Sequence, residues 1–190
     1  MKTFILTITG LFAFLVFFGC QGQKAFVISH KVTDRPLLVF PSVKRYDWDK
    51  ELEAGLVHFE GFRSRPYYCS AGVRTIGYGC TDKSTTRKAW ISEKEARALL
   101  LKEVEKAKAQ VLKEVQVELS ENQLNALTSF TFNCGVTNLR NLVNGEDRLN
   151  AGNYKSVEKI LPLYRKAGGK VRKGLELRRA WELNLWKGEI

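Results

Sequence analysis

Glu60 is the carboxylate in this sequence whose setting suits acid chemistry. Leu52, Leu56 and Phe59 recur at helical spacing ahead of it and Gly61 follows it, so Glu60 stands at the C-terminal end of an amphipathic helix. A helix C-terminus carries partial negative charge, and the residues around Glu60 are apolar. Both features favour the neutral acid over the carboxylate. A carboxylic acid kept protonated near neutrality is what donation of a proton to a leaving oxygen requires. Position alone does not assign that role, because most helix-end glutamates are structural or solvated. Eight residues separate Glu60 from Cys69, and five separate Cys69 from Thr75. A thiol and a hydroxyl therefore follow the acid at short range.

Other chemistries find no footing. His30 and His58 differ in setting, one in an irregular N-terminal stretch and one on the helix before Glu60, and neither stands in an acidic cluster. They make no metal site, and His58 reads as a surface helix residue. No glycine-rich phosphate loop ending in Lys-Ser or Lys-Thr occurs, nor any nucleophile elbow of the Gly-x-Ser-x-Gly kind. The expectation is an active site with no cofactor and no metal.

The elements that must position these residues can be read from pattern. Asp47 or Asp49 can cap the helix that carries Glu60. Residues 67–78 contain Tyr67 and Tyr68, a small turn at Ser70, Ala71 and Gly72, then Val73, Thr75, Ile76 and Tyr78, which predicts a β-hairpin. Ser92 followed by Glu95 predicts a capping box, and behind it Ala96, Leu99, Leu100, Val104, Ala107 and Val111 form an apolar stripe over residues 93–113. Lys102, Glu103, Lys106 and Lys108 lie off that stripe. Ser120 and Gln123 form a second capping box, opening a helix through Leu124, Leu127 and Phe130. Shorter helices follow, with loops at Gly145, Gly152 and Gly168-Gly169. The fold class is α+β: a small hairpin-bearing lobe and a larger helical lobe joined by a long helix, with a cleft between them as the natural substrate site.

The Glu60–Cys69–Thr75 spacing resembles the phage-type lysozymes, the endolysin family classed as glycoside hydrolase family 24, which carries a Glu, then after eight residues an Asp or Cys, then after five more a Thr. The text around it agrees: Phe59-Glu60-Gly61, then Ala71-Gly72-Val73-Arg74-Thr75-Ile76-Gly77-Tyr78-Gly79. Two later blocks resemble the family's helical lobe. One is Ser129-Phe130-Thr131-Phe132-Asn133-Cys134-Gly135. The other runs over residues 166–175, with Arg178-Arg179, Glu182, Leu185 and Trp186 after it. The resemblance spans residues 52–186 in collinear order. It implies a lysozyme-like fold and cleavage of the β-1,4 bond between N-acetylmuramic acid and N-acetylglucosamine in peptidoglycan. In that reading Glu60 protonates the glycosidic oxygen, while Cys69 and Thr75 position or activate the attacking water. Cys69 in place of Asp weakens the case for water activation, since a thiol with an ordinary pKa of about 8.5 is mostly neutral at pH 7. Two alternatives stay open: a lytic transglycosylase using Glu60 alone, and a catalytically inactive wall-binding protein.

The formal charge of +11, from 31 basic and 20 acidic residues, favours an anionic partner. Peptidoglycan and membrane lipids fit that description. Nucleic acid fits the charge but not the export signal or the motifs, so no nucleic-acid partner is expected. Lys166, Lys170, Arg172, Lys173, Arg178, Arg179 and Lys187 read as exposed charges interleaved with Trp181 and Trp186, of which Trp186 belongs to the core. Lys2 and an almost wholly apolar run over residues 4–18 ending at Gly19-Cys20 have the layout of an export signal. The division expected is a signal segment, 1–19, lipoprotein in type with Cys20 lipidated; a tether, 20–45; and a catalytic domain, 46–190, acting as a monomer at the cell envelope. An uncleaved or releasable membrane anchor is the alternative for the N-terminus. Past Cys20, the cysteines Cys69, Cys80 and Cys134 are odd in number, and the sequence leaves their pairing open.

Overall fold

A computed structural model describes residues 50–69 and 72–190 of the chain. The signal segment, Cys20, the tether, the capping aspartates Asp47 and Asp49, and the turn residues Ser70 and Ala71 lie outside the described residues.

The helix ahead of Glu60 is α1, Lys50–Glu60, which buries Leu52 and Leu56 and stops where Gly61 turns to a positive φ of 65°. Next come β1, Arg63–Tyr68, and β2, Arg74–Gly77, an antiparallel pair with Tyr67 opposite Thr75 and Tyr68 opposite Arg74. The hairpin starts earlier than the pattern predicts. Residues 63–66 show no apolar alternation because that stretch is largely solvated, and the register shifts between Arg63 and Tyr67. Pro66, which has no N–H for a ladder, falls within that irregular stretch. A single turn of helix, α2 at Lys83–Thr86, is capped by Asp82, whose side chain accepts from the Thr85 N–H.

The long helix α3 spans Glu93–Glu114 and α4 spans Glu121–Val143. Ser120 and Gln123 form the expected reciprocal box at α4. At α3 only the Ser92 half forms; the Glu95 carboxylate is paired with Lys88 instead. Helix α4 breaks at Gly135, whose φ of 80° and ψ of 164° are not helical. A 3₁₀ turn at Leu149–Ala151, the short helix α5 at Lys155–Ile160 and another 3₁₀ turn at Leu161–Leu163 lead to a second hairpin, β3 at Lys166–Ala167 and β4 at Lys170–Val171. The loop expected at Gly168-Gly169 is the turn of this hairpin, whose two short strands the pattern does not predict. With Gly168 and Gly169 both at positive φ it is a two-residue hairpin turn. Helix α6, Lys173–Lys187, closes the fold.

Two apolar clusters hold these elements. Leu52 and Leu56 of α1, Ile76 and Tyr78 of the first hairpin, Ile91, and Ala96, Leu100 and Val104 of α3 form one. Val111 of α3 joins Leu127, Phe130 and Leu139 of α4 and Leu185 and Trp186 of α6 in the other. One helix thus feeds both clusters, its N-terminal half under the hairpin and its C-terminal half in the helical lobe. That is the α+β, two-lobed arrangement expected. Trp186 lies in the core as expected, and Lys166, Lys170, Arg172, Lys173 and Lys187 are exposed. The expectation fails for Arg178 and Arg179, which are 3% and 1% exposed. They share a helix face with Leu185 and Trp186, and that face is interior.

Candidate active site

Glu60 is the last residue of α1, and it sits where α1 meets α6. Gly55, one turn earlier, has the indole of Trp181 laid against it so closely that a Cβ there would stand 2.0 Å from Cζ2. Phe59 packs on the same indole, with ring centroids 5.4 Å apart. This contact brings the end of α1 to the middle of α6, and it places Glu60 beside Arg178. Arg178 Nη1 donates to Glu60 Oε1 at 2.6 Å. The apolar setting expected for Glu60 is therefore not what the fold provides. Phe59 and the helix end are present, but an almost fully buried guanidinium faces the carboxylate.

The second oxygen of Glu60 points toward the first hairpin. A Cβ built on Gly79, just past β2, would lie 3.4 Å from Oε2. Gly79 has a φ of 82°. Any side chain there would be strained and would crowd the carboxylate, so glycine keeps Oε2 accessible.

Cys69 and Thr75 come together at the closed end of that hairpin through one carbonyl. Val73 O accepts from the Cys69 N–H at 3.0 Å and from the Thr75 hydroxyl at 2.9 Å. Thr75 is buried and Cys69 half-buried. With its proton committed to Val73, the Thr75 oxygen keeps its lone pairs for an incoming donor. Cys80 bridges back to Ile76, each N–H donating to the other's carbonyl at 2.9 Å. Cys80 and Cys134 carry free thiols. His58 is an exposed helix residue in edge contact with Phe59, as expected.

Behind Arg178 lies a polar cluster to which the sequence reading gave no role. Glu182, fully buried, receives on Oε1 the Ser129 hydroxyl at 2.7 Å, Arg179 Nη2 at 2.8 Å and Arg178 Nε at 3.3 Å. Burial pushes the Glu182 carboxyl up, while Arg179, Arg178 and Ser129 pull it back. Arg179 also reaches Cys134 Sγ at 2.7 Å and Asn133 Oδ1 at 3.0 Å. Burial likewise pushes the Cys134 thiol up, against the pull of Arg179. A signal for this cluster was available. Positions 178, 182, 185 and 186 lie on one helical face, and an Arg and a Glu on the same face as Leu185 and Trp186 imply a buried ion pair rather than solvated charge. Among the described residues no group of three or more His, Cys, Asp or Glu could hold a metal.

Comparison with known proteins bears on this arrangement. A family model described as phage lysozyme matches residues 57–182. The SAR-endolysin of Bacteriophage PS119 is 35% identical over 129 residues, covering 67% of this chain and 77% of that relative. The endolysin of Bacillus phage B103 is 34% identical over 130 residues, which is 67% of this chain but 49% of the relative, so the chain spans about half of that protein's length. Among solved structures, the endolysin from Escherichia coli O157:H7 phage FAHEc1 superposes with a TM-score of 0.66 at 28% identity, over 77% of this chain and 96% of that one. The muramidase domain of SpmX from Asticaccaulis excentricus gives 0.65 at 27% identity, over 75% and 98%.

Proposed function

Since this chain belongs to the phage lysozyme family, a family of glycoside hydrolases, we propose that it cleaves the glycan strands of peptidoglycan at the β-1,4 bond between N-acetylmuramic acid and N-acetylglucosamine. Glu60 is the general acid, and Cys69 and Thr75 position or activate the attacking water. The observation that supports this most is the pairing of Glu60 Oε1 with buried Arg178 at 2.6 Å. It fixes the carboxyl group and leaves Oε2, on the side of the hairpin, as the oxygen that delivers the proton. Proton donation from a carboxyl held in this way lowers the barrier to departure of the sugar oxygen. The water then enters from the opposite face, where Thr75 accepts a hydrogen bond from it and Cys69, as its thiolate, takes its other proton to become the thiol while the hydroxide oxygen bonds the sugar carbon. A gap of about 6.5–9.5 Å between acid and base groups admits such a water in inverting glycosidases.

Cys69 is the residue on which hydrolysis and transglycosylation diverge. If the thiol does not serve, the sugar's own hydroxyl can attack, with Glu60 alone as the proton donor. Mass spectrometry of the products from purified peptidoglycan tests the reading. Reducing-end muropeptides are expected. Anhydro-sugars mean transglycosylation, and intact wall means a binding protein without activity.

The SAR-endolysin relatives support membrane-tethered export. Of the two N-terminal readings they favour the uncleaved, releasable anchor over a lipidated Cys20. Intact mass of the membrane-extracted protein tells them apart: a full-length chain fits the anchor, and loss of the first 19 residues with added lipid fits the lipoprotein.

A further inference from the structure

Glu182 takes no part in the chemistry assigned above, yet it is fully buried. A carboxylate is costly to bury unless it is paired and hydrogen-bonded. Its Oε1 gathers three donors, from Ser129, Arg179 and Arg178. Arg178 is engaged along its whole planar edge. Nε meets Glu182 at 3.3 Å, Nη2 lies 3.4 Å from Ser129 Oγ, and Nη1 meets Glu60 at 2.6 Å. The rings of Phe59 and Phe132 flank the guanidinium at 5.6 and 5.8 Å. A rigid fork held in this way cannot turn without breaking the inner contact or the outer one.

We propose that Glu182 is a positioning residue of the active centre: through the Nε edge of Arg178 it sets the one guanidinium orientation that engages Glu60 Oε1 and leaves Oε2 for the glycosidic oxygen. The proposal rests on Glu60 being the general acid.

The test compares Glu182→Gln, Glu182→Asp and the charge-balanced double variant Arg179→Leu/Glu182→Leu with the full-length protein on purified peptidoglycan, with melting curves for each. Glu182→Gln is expected to lose about 10²-fold in kcat, the scale of a misplacement near 1 Å, with KM little changed. Glu182→Asp should recover part of kcat. The double variant, which leaves no unpaired buried charge, should fold and lose kcat to a similar degree. A purely structural Glu182 would lower the melting temperature and leave kcat per folded molecule unchanged. That result, in Glu182→Gln or, if that variant does not fold, in the double variant, overturns the proposal. Glu60→Gln assayed in parallel separates the two failures. An active Glu60→Gln removes the premise and the proposal with it, whereas an inactive Glu60→Gln beside fully active Glu182 variants overturns the positioning role alone.

Discussion

Gly55→Ala is expected to damage stability and activity together, through a contact remote from any reacting atom. Its Cβ would stand 2.0, 2.4 and 2.5 Å from Cζ2, Cη2 and Cε2 of Trp181. Carbon atoms in ordinary contact are about 3.5–4.0 Å apart, so the indole, or α6 with it, must retreat by about 1.5 Å. The ring has little freedom to yield alone, because Phe59 packs against it. Overpacking of this kind costs about 1–3 kcal/mol. Replacing a helical glycine by alanine returns about 1 kcal/mol, leaving a net loss of up to about 2 kcal/mol. At about 2–4 °C per kcal/mol for a domain near 150 residues, that lowers Tm by up to about 8 °C. Arg178 lies one turn before Trp181 on the same helix, so the retreat also opens the 2.6 Å pair with Glu60; a displacement near 1 Å at an active centre costs up to about 10²-fold in rate. Gly174 is the internal control. It lies in the first turn of α6, and nothing stands within 4 Å of its would-be Cβ, so Gly174→Ala should not lower stability. Calorimetry and a wall-clearing assay on the two variants give the comparison. If Gly55→Ala melts and cleaves like the parent, or if both variants lose stability equally, the packing argument for how α6 is placed against Glu60 is wrong.

Two further outcomes follow from named contacts. Cys69→Ser should be strongly impaired in hydrolysis, since a hydroxyl is a far poorer base, whereas Cys69→Asp should retain or restore it; equal activity of Cys69→Ser and the parent in wall turnover would make Cys69 dispensable and favour transglycosylation. The hydroxyl of Ser84, then the N–H and hydroxyl of Thr85, hold the Asp82 carboxyl at about 2, below its ordinary value of 3.8; this depressed value means that the stabilisation is complete above the ordinary value and is lost as pH falls through the folded one. Asp82→Ala should therefore lower Tm at pH 7 and have a much smaller effect near pH 2, as followed by circular dichroism.

Much of this architecture is legible in the sequence because local signals and burial agree. The stripe from Ala96 to Val111 marks the long helix, and Ser120 with Gln123 marks the start of the next one. The spacing of Glu60, Cys69 and Thr75 marks them as candidates, and the fold brings the latter two to one carbonyl. What the sequence hides is pairing over long separations. Arg178 and Glu60 are 118 residues apart and Ser129 and Glu182 are 53 apart, so no local pattern shows that a cation will replace the apolar surroundings expected for Glu60. Arg178 and Arg179 read as surface charge because Lys and Arg are almost never fully buried unless paired. Glu182 is a partner on their own helix face, but Glu60, Ser129, Asn133 and Cys134 become partners only when α1, α4 and α6 are packed. The second hairpin was missed for a different reason: strands of two exposed residues carry no hydrophobic alternation, and only the Gly-Gly turn announces them.

The most direct test of the account is the turnover of purified peptidoglycan by Glu60→Gln, measured on protein whose melting curve matches the parent. The amide retains an oxygen for Arg178 but has no acidic proton to give. General acid catalysis contributes about 10²–10⁴-fold, and loss of turnover on that scale with the fold intact is the predicted result. Retention of more than about a tenth of parental turnover, judged on the same scale, would contradict it and send the search for the acid to another residue.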